Sequence, residues 1–267
     1  MTISRFLCGL AATLICSGLW MSALAAEPPA HRANLLIGVG HVISPFVGGS
    51  KVRTAENIET ALAEQIAQRL SAQLEIIAAA PASRLPVLRA AVPDLVLGTA
   101  QGIELDYPGA TLVPTGYVLS PMAIMRSDTQ IKTWTQLQGR TVCLSEGSPY
   151  VGTLARRYGA VEKLFAAPAD SLLALRTGHC DAAVHDSAML NELLKLPEWK
   201  KFSARLSSDS RVPLVFAAPS QDPAMVQLVT QAASQWKAKR YLADLNKTRA
   251  RDIAFEVYLD QNIPDCH

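Results

Sequence analysis

A surplus of charge of either sign is missing from this 267-residue sequence, in which 25 Lys and Arg stand against 23 Asp and Glu for a formal balance of +2. No run of Lys or Arg exceeds a pair. Without a basic stripe or an acidic tail, a nucleic-acid or membrane-surface partner is excluded. Internal repeats and low-complexity tracts are absent as well, which leaves an ordinary globular protein. There is no Gly-x-Ser-x-Gly, no His-Glu-x-x-His and no Walker loop, so the common nucleophile, zinc and phosphate chemistries have no carrier. The five histidines (His31, His41, His179, His185 and His267) are scattered without ligand spacing, and no Cys-x-x-Cys pair occurs. The chain therefore reads as a non-enzyme with no catalytic residues, no metal and no cofactor.

What is present begins at the N-terminus. Arg5 is followed by a charge-free stretch from Phe6 to Met21, and Ala23-Leu24-Ala25 then offers small residues at both alternate positions. This is the form of a cleaved signal peptide over residues 1–25. About 20 apolar residues are needed to span a bilayer, but Gly9, Ser17, Gly18 and the small-residue exit favour cleavage over a retained anchor. Bulky Leu7 and Ile15 precede Cys8 and Cys16 where a lipoprotein signal wants a small residue. The expected product is a soluble, monomeric periplasmic protein with no stable membrane insertion. Removing 25 residues from 267 leaves 242, enough for one large domain or two smaller ones. Its three cysteines, Cys143, Cys180 and Cys266, permit one disulfide in an oxidising compartment and leave one thiol over.

Short apolar runs alternate with helical patterns along the mature chain. Leu35 to Val39, Leu74 to Ala78 and Asp94 to Leu97 read as buried parallel strands. Between the first two, Ile58, Leu62, Ile66 and Leu70 mark one face of a helix for which Thr54 offers an N-cap. A second helix is expected from Ser83 to Ala91. The pattern then restarts, with strands at Thr141 to Ser145, Lys163 to Ala166 and Asp181 to His185. Helices are expected at Pro149 to Tyr158, Ala169 to Thr177 and Ser187 to Leu194. Two successive units of this kind predict an α/β fold of two doubly wound lobes. Met122 to Met125 and Pro213 to Ala218 would be the two crossing strands. The expected division is lobe 1 over 26–121, lobe 2 over 122–215, and a return to lobe 1 over 216–267 that includes a final helix pair. If the strands of lobe 2 follow the usual order, Cys143 and Cys180 lie on or beside neighbouring strands and can pair, with Cys180–Cys266 as the rival.

This layout resembles the extracellular solute-binding proteins of family 3, the type II periplasmic binding proteins. The segment Trp134 to Pro149 is similar to the family's opening of the second lobe, with Leu137, Gly139, Arg140, Gly147 and Ser148 in place. The segment Cys180 to Asp186 is similar to its Asp-Ala-x-x-x-Asp strand. The resemblance covers essentially the whole mature chain. It implies capture of an amino-acid-like solute for an ABC importer permease. One departure concerns the arginine that clamps a ligand α-carboxylate in amino-acid binders: the corresponding region here holds Glu104, Leu105 and Asp106, which turns the expectation towards an amine-bearing ligand. Gly98 to Gly102 is instead similar to a branch associated with periplasmic quinoprotein dehydrogenases, which keeps open an accessory role beside such an enzyme. Some relatives, the periplasmic cyclohexadienyl dehydratases, catalyse elimination in the same cleft, with Glu104 or Glu146 as a candidate acid here.

The candidate ligand residues follow the strand ends, which face the cleft in such folds. Gly147 and Ser148 open a helix whose N-terminal amides suit an anionic group, although Ser148 is equally an N-cap. Asp186 ends the last strand of lobe 2, where the resemblance implies a partner for a ligand amine and the alternative is an N-cap. His185 points to the other side of that strand and reads as packed. His41 and Phe46 follow the first strand, with Phe46 placed to stack on a cation. Thr99, Gln101 and Glu104 follow the third and complete the set.

Overall fold

The structure, a computed structural model, describes residues 33–42, 51–79 and 92–261, except for the side chains of Glu104 and Leu105. The expected leader, the expected helix at 83–91, Phe46 and Cys266 lie outside the described residues.

Short, largely buried strands form two five-stranded sheets. The first contains β1 (Asn34–Val39), β2 (Gln73–Ala78), β3 (Leu95–Thr99), β4 (Ala110–Leu119) and β10 (Val212–Pro219), in the order β2-β1-β3-β10-β4. The second contains β5 (Pro121–Met125), β6 (Thr141–Ser145), β7 (Val161–Phe165), β8 (Ala182–Asp186) and β9 (Ala204–Ser207), in the order β7-β6-β8-β5-β9. Each sheet has three parallel strands followed by antiparallel pairing, and the sheets share one topology. Only Ser120 separates β4 of the first sheet from β5 of the second, so the chain changes lobe there within one residue.

In lobe 1, helix α1 (Glu59–Leu70) buries Leu62, Ile66 and Leu70 against Leu35, Ile37 and Val39 of β1. Its N-cap is Ile58, without a side-chain bond. Thr54, expected to cap it, instead donates from Oγ1 to Glu256 at 2.7 Å. A short helix α2 (Ala100–Asp106) follows β3. In lobe 2 the sheet is buried on both faces. Met122, Ile124 and Cys143 point to one side, and Ala123, Met125, Val142 and Leu144 to the other, as a period of two requires. The helices of this lobe are α3 (Thr153–Tyr158), α4 (Pro168–Arg176) and α5 (Ser187–Leu193).

Cys143 on β6 is disulfide-bonded to Cys180, which lies just before β8, with Cα atoms 5.9 Å apart. The parallel pairing of Cys143 with Ala183 is what brings the two cysteines together. Closing a loop of sequence separation 37 restricts the unfolded chain, so Cys143→Ser or Cys180→Ser is expected to cost roughly 2–4 kcal/mol. Urea unfolding with and without reductant checks this, and an unchanged midpoint would contradict it.

Of the last two helices, the first packs on lobe 1 and the second meets both lobes. Helix α6 (Pro223–Ala238) packs on lobe 1 through Met225, Val229, Ala232 and Trp236. The chain then turns at Arg240, whose φ is 55°. In α7 (Tyr241–Leu259), Leu242 and Leu245 still touch the lobe 1 core, but Ala250, Ile253, Ala254 and Val257 join the lobe 2 core. The assignment of residues 216–267 wholly to lobe 1 is thus corrected. The spacing 250, 253, 254, 257 forms an apolar stripe, and the complementary surface for it is offered by α4 and α5. No described helix is long and apolar enough to cross a membrane.

Candidate functional site

The C-terminal ends of β1, β3, β6 and β8 border one cavity of about 520 Å³ between the lobes. Doubly wound sheets place their crevice at such a switch point, where strand order reverses. Lobe 1 contributes Gly40, His41, Asn57, Glu59, Thr99 and Tyr117, and lobe 2 contributes Glu146, Gly147, Ser148 and Asp186. Arg249 of α7 also reaches the wall.

Asp186 is buried and fully engaged. One carboxylate oxygen accepts from Tyr117 Oη at 3.0 Å and from Ala188 N at 2.9 Å. The other accepts from Tyr150 Oη at 2.9 Å and from Ser120 N at 3.1 Å. A carboxylate offers about four acceptor positions, and all four are used. Asp186 caps α5 and ties Tyr117 of lobe 1 to lobe 2. Burial raises its carboxyl above the ordinary range, and these four donors offset that only in part. Burial and the neighbouring Asp186 likewise push the Tyr117 and Tyr150 hydroxyls up, so both remain neutral donors.

Beneath this lies a second link between the lobes. Glu56, just ahead of α1, accepts from Ser145 Oγ at 2.5 Å and pairs with His185 Nδ1 at 2.8 Å. The other ring nitrogen of His185 meets Ser171 Oγ at 2.6 Å. Ser171, His185 and Glu56 thus form a hydroxyl–imidazole–carboxylate chain of the kind that activates a nucleophile. Ser171 and His185 have no exposed surface, however, and neither lines the cavity. The chain therefore fastens Glu56 of lobe 1 to lobe 2. Burial alone would raise the Glu56 carboxyl, but His185, Ser145 and the charge of Arg249 together hold it below its ordinary value. Arg249 Nη2 donates to the carbonyls of Ala55 and Glu56 at 2.9 and 2.6 Å.

Other acids on the wall are less committed. Glu59 accepts from Gly40 N at 3.1 Å, and burial raises its carboxyl to about 7 despite that bond. Glu146 is exposed and forms no ion pair among the described residues. Asn57 donates from Nδ2 to the carbonyl of His41 at 3.0 Å, while its shielded Oδ1 has no partner among the described residues.

The residues singled out in the sequence meet different fates. His41, Thr99, Gly147, Ser148 and Asp186 converge on the cavity. Gly147, at φ 77°, lies so close to His41 across the cleft that a Cβ there would stand 2.5 Å from the imidazole. Only glycine permits that contact. Thr99 spends its hydroxyl capping α2, where it accepts from Gly102 N at 3.3 Å. Gln101 is exposed on α2 and does not line the cavity. The side chain of Glu104 and all of Phe46 lie outside the described residues. Ser148 opens no helix: its amide donates to Ser145 O in a turn, and α3 starts only at Thr153 after a left-handed Gly152. The expected helix N-terminus at Gly147 and Ser148 is thereby corrected, because Gly147 and Gly152 both take left-handed conformations that interrupt a helix.

Sequence reasoning does not single out Glu56, Asn57, Glu59, Tyr117 or Arg249. For the first three a signal exists: Glu56-Asn57-Ile58-Glu59 opens the helix after the first strand, beside the expected crevice. Arg249 lies on the long last helix, far in sequence from the strand ends that mark the crevice.

No protein-family model matches the chain. No curated protein matches its sequence. Among solved structures, the chain is similar to a mutant of ArgBP from T. maritima, at 21% identity and TM-score 0.51, covering 80% of this chain and 93% of that one. It is similar to an ancestral cationic amino acid solute binding protein, at 18% identity and TM-score 0.53, covering 81% and 95%. A further structure of that ancestral protein presents it as a precursor of cyclohexadienyl dehydratase. The substrate binding protein of an amino acid ABC transporter is similar at 19% identity and TM-score 0.50, covering 85% and 100%. At these identities the likeness establishes the fold: the chain has the two-lobed α/β architecture of type II periplasmic solute-binding proteins.

Proposed function

We propose that this chain is an exported solute-binding protein that captures one small polar solute with an amine-like cationic group and delivers it to an ABC importer. The observation that carries this reading is an interlobe cavity in which acids without a cationic partner outnumber the single arginine on the wall. Glu59 and Glu146 lack cationic partners among the described residues, whereas Glu56 and Asp186 are already engaged. A solute cation would pair with the first two of these acids and offset the desolvation that raises the Glu59 carboxyl. Arg249, with Nη2 committed to two carbonyls, has further donors for a polar or anionic end of the solute. The fold shared with the amino acid solute-binding proteins supports the same direction.

Thermal unfolding with millimolar L-arginine, L-lysine, putrescine, choline, succinate or acetate tests the proposal. A solute present at 100 times its Kd adds about 2.7 kcal/mol to stability. For a chain of this size each kcal/mol shifts Tm by roughly 2–4 °C. At least one cationic probe is expected to raise Tm by several degrees, with the anions inactive. Stabilisation by succinate alone would contradict the reading.

A second reading, elimination chemistry in the same cleft, draws on Glu59, since a general acid works best with a pKa near the operating pH. Recovery of a bound probe unaltered after prolonged incubation separates binding from catalysis.

A further inference from the structure

Two residues at the start of α1 share an unusual position. Asn57 is anchored by its bond to His41 O, and Glu59 by its bond from Gly40 N, so both are held on consecutive residues of the turn after β1. Both line the interlobe cavity. The Asn57 amide is oriented by its Nδ2 bond, which leaves Oδ1 as a shielded acceptor with no partner among the described residues. A shielded acceptor left unpaired costs free energy that only an N–H or O–H donor recovers. Glu59 accepts one hydrogen bond where a carboxylate can accept about four. The two residues thus bring a neutral acceptor and an anionic one to the lobe 1 side of the same cavity.

We infer that Asn57 Oδ1 and the Glu59 carboxylate form a subsite for a cation that carries N–H donors, a primary ammonium or a guanidinium, and that it rejects a quaternary ammonium. A quaternary centre satisfies the charge of Glu59 but leaves Asn57 Oδ1 unpaired. A guanidinium or primary ammonium supplies several donors at once. This subsite rests on the cleft being the solute-binding site and narrows its substrate class. It also moves the centre of cation recognition from Asp186, whose acceptor positions are filled, to lobe 1. Because Glu59 is held near neutrality by burial, it must ionise to receive the cation, so binding releases a proton at or below pH 7.

Calorimetric titration of wild type, Glu59→Gln and Asn57→Ala with L-arginine, putrescine and choline tests the assignment, with circular dichroism verifying that each variant is folded. Wild type is expected to bind L-arginine or putrescine at least tenfold more tightly than choline. Glu59→Gln should weaken the preferred probe roughly 10- to 150-fold, and Asn57→Ala roughly 2- to 10-fold. The wild-type affinity should fall about tenfold per pH unit below about 7, and that dependence should vanish in Glu59→Gln. His41, Glu56, Glu146, Asp186 and Arg249 also face the cavity and remain in the variant, so the difference between the two pH profiles isolates Glu59. Choline binding equal to that of L-arginine, or an affinity unmoved by Glu59→Gln, overturns the subsite while leaving the cleft a binding site. Failure of wild type to bind any of the three cations overturns the proposed function as well.

Discussion

Replacing His185 with alanine is expected to lower the stability of the protein by about 3–5 kcal/mol, because it leaves the Glu56 carboxylate buried without the imidazole that it pairs with. The pair is 2.8 Å long, and both side chains are almost wholly removed from solvent. Once His185 is gone, the carboxylate keeps Ser145 Oγ and the more distant charge of Arg249. The loss should be read from urea midpoints, with the double variant Glu56→Gln and His185→Ala recovering part of it. The pH dependence has a definite sign. The folded-state Glu56 carboxyl is held below its unfolded value, so its stabilising contribution is present above about pH 4.5 and is lost as pH falls through the lower folded value. In His185→Ala that acid-side loss should shrink, since the main favourable partner is missing. A His185→Ala protein as stable as wild type at pH 7 would contradict the account of the lobe-to-lobe link.

The second large effect belongs to Asp186. In Asp186→Asn one acceptor oxygen becomes an amide N–H₂, which must face two of the four groups that now donate to it: a buried tyrosine hydroxyl and a backbone amide. Each mismatched buried donor costs roughly 1–3 kcal/mol, so a total near 2–4 kcal/mol is expected. Tyr117→Phe and Tyr150→Phe, which each remove one donor from the same carboxylate, should cost about 1–2 kcal/mol apiece. A small effect of Asp186→Asn on stability together with complete loss of solute affinity would instead show a carboxylate reserved for the ligand. Denaturant unfolding of the three variants beside a single-probe titration separates the two outcomes.

Much of the fold is legible in the sequence because local pattern and tertiary role coincide. The apolar runs from Leu35, Leu74, Thr141 and Asp181 become β1, β2, β6 and β8, and the stripe Leu62, Ile66, Leu70 becomes the buried face of α1. The strand β4 is hidden because Thr111, Pro114 and Gly116 break its apolar pattern, while its partner β10 supplies the pairing that stabilises it. The site is less legible for a related reason. Strand ends locate the cavity, so His41, Thr99, Gly147, Ser148 and Asp186 all lie on it. What each side chain does there depends on partners far along the chain. Asp186 is filled by Tyr117 and Tyr150, 69 and 36 residues away. Glu56 finds His185 at a separation of 129. Arg249 enters from the middle of a helix whose apolar stripe reads as a single-lobe element but meets both lobes.

Native mass spectrometry of the wild-type chain with equimolar L-arginine and succinate tests most directly whether the interlobe cleft captures a cation-bearing solute. The account predicts a one-to-one complex with L-arginine, depleted in Glu59→Gln, and no specific complex with succinate. A one-to-one succinate complex, undiminished in Glu59→Gln and unaccompanied by any with L-arginine, would contradict it.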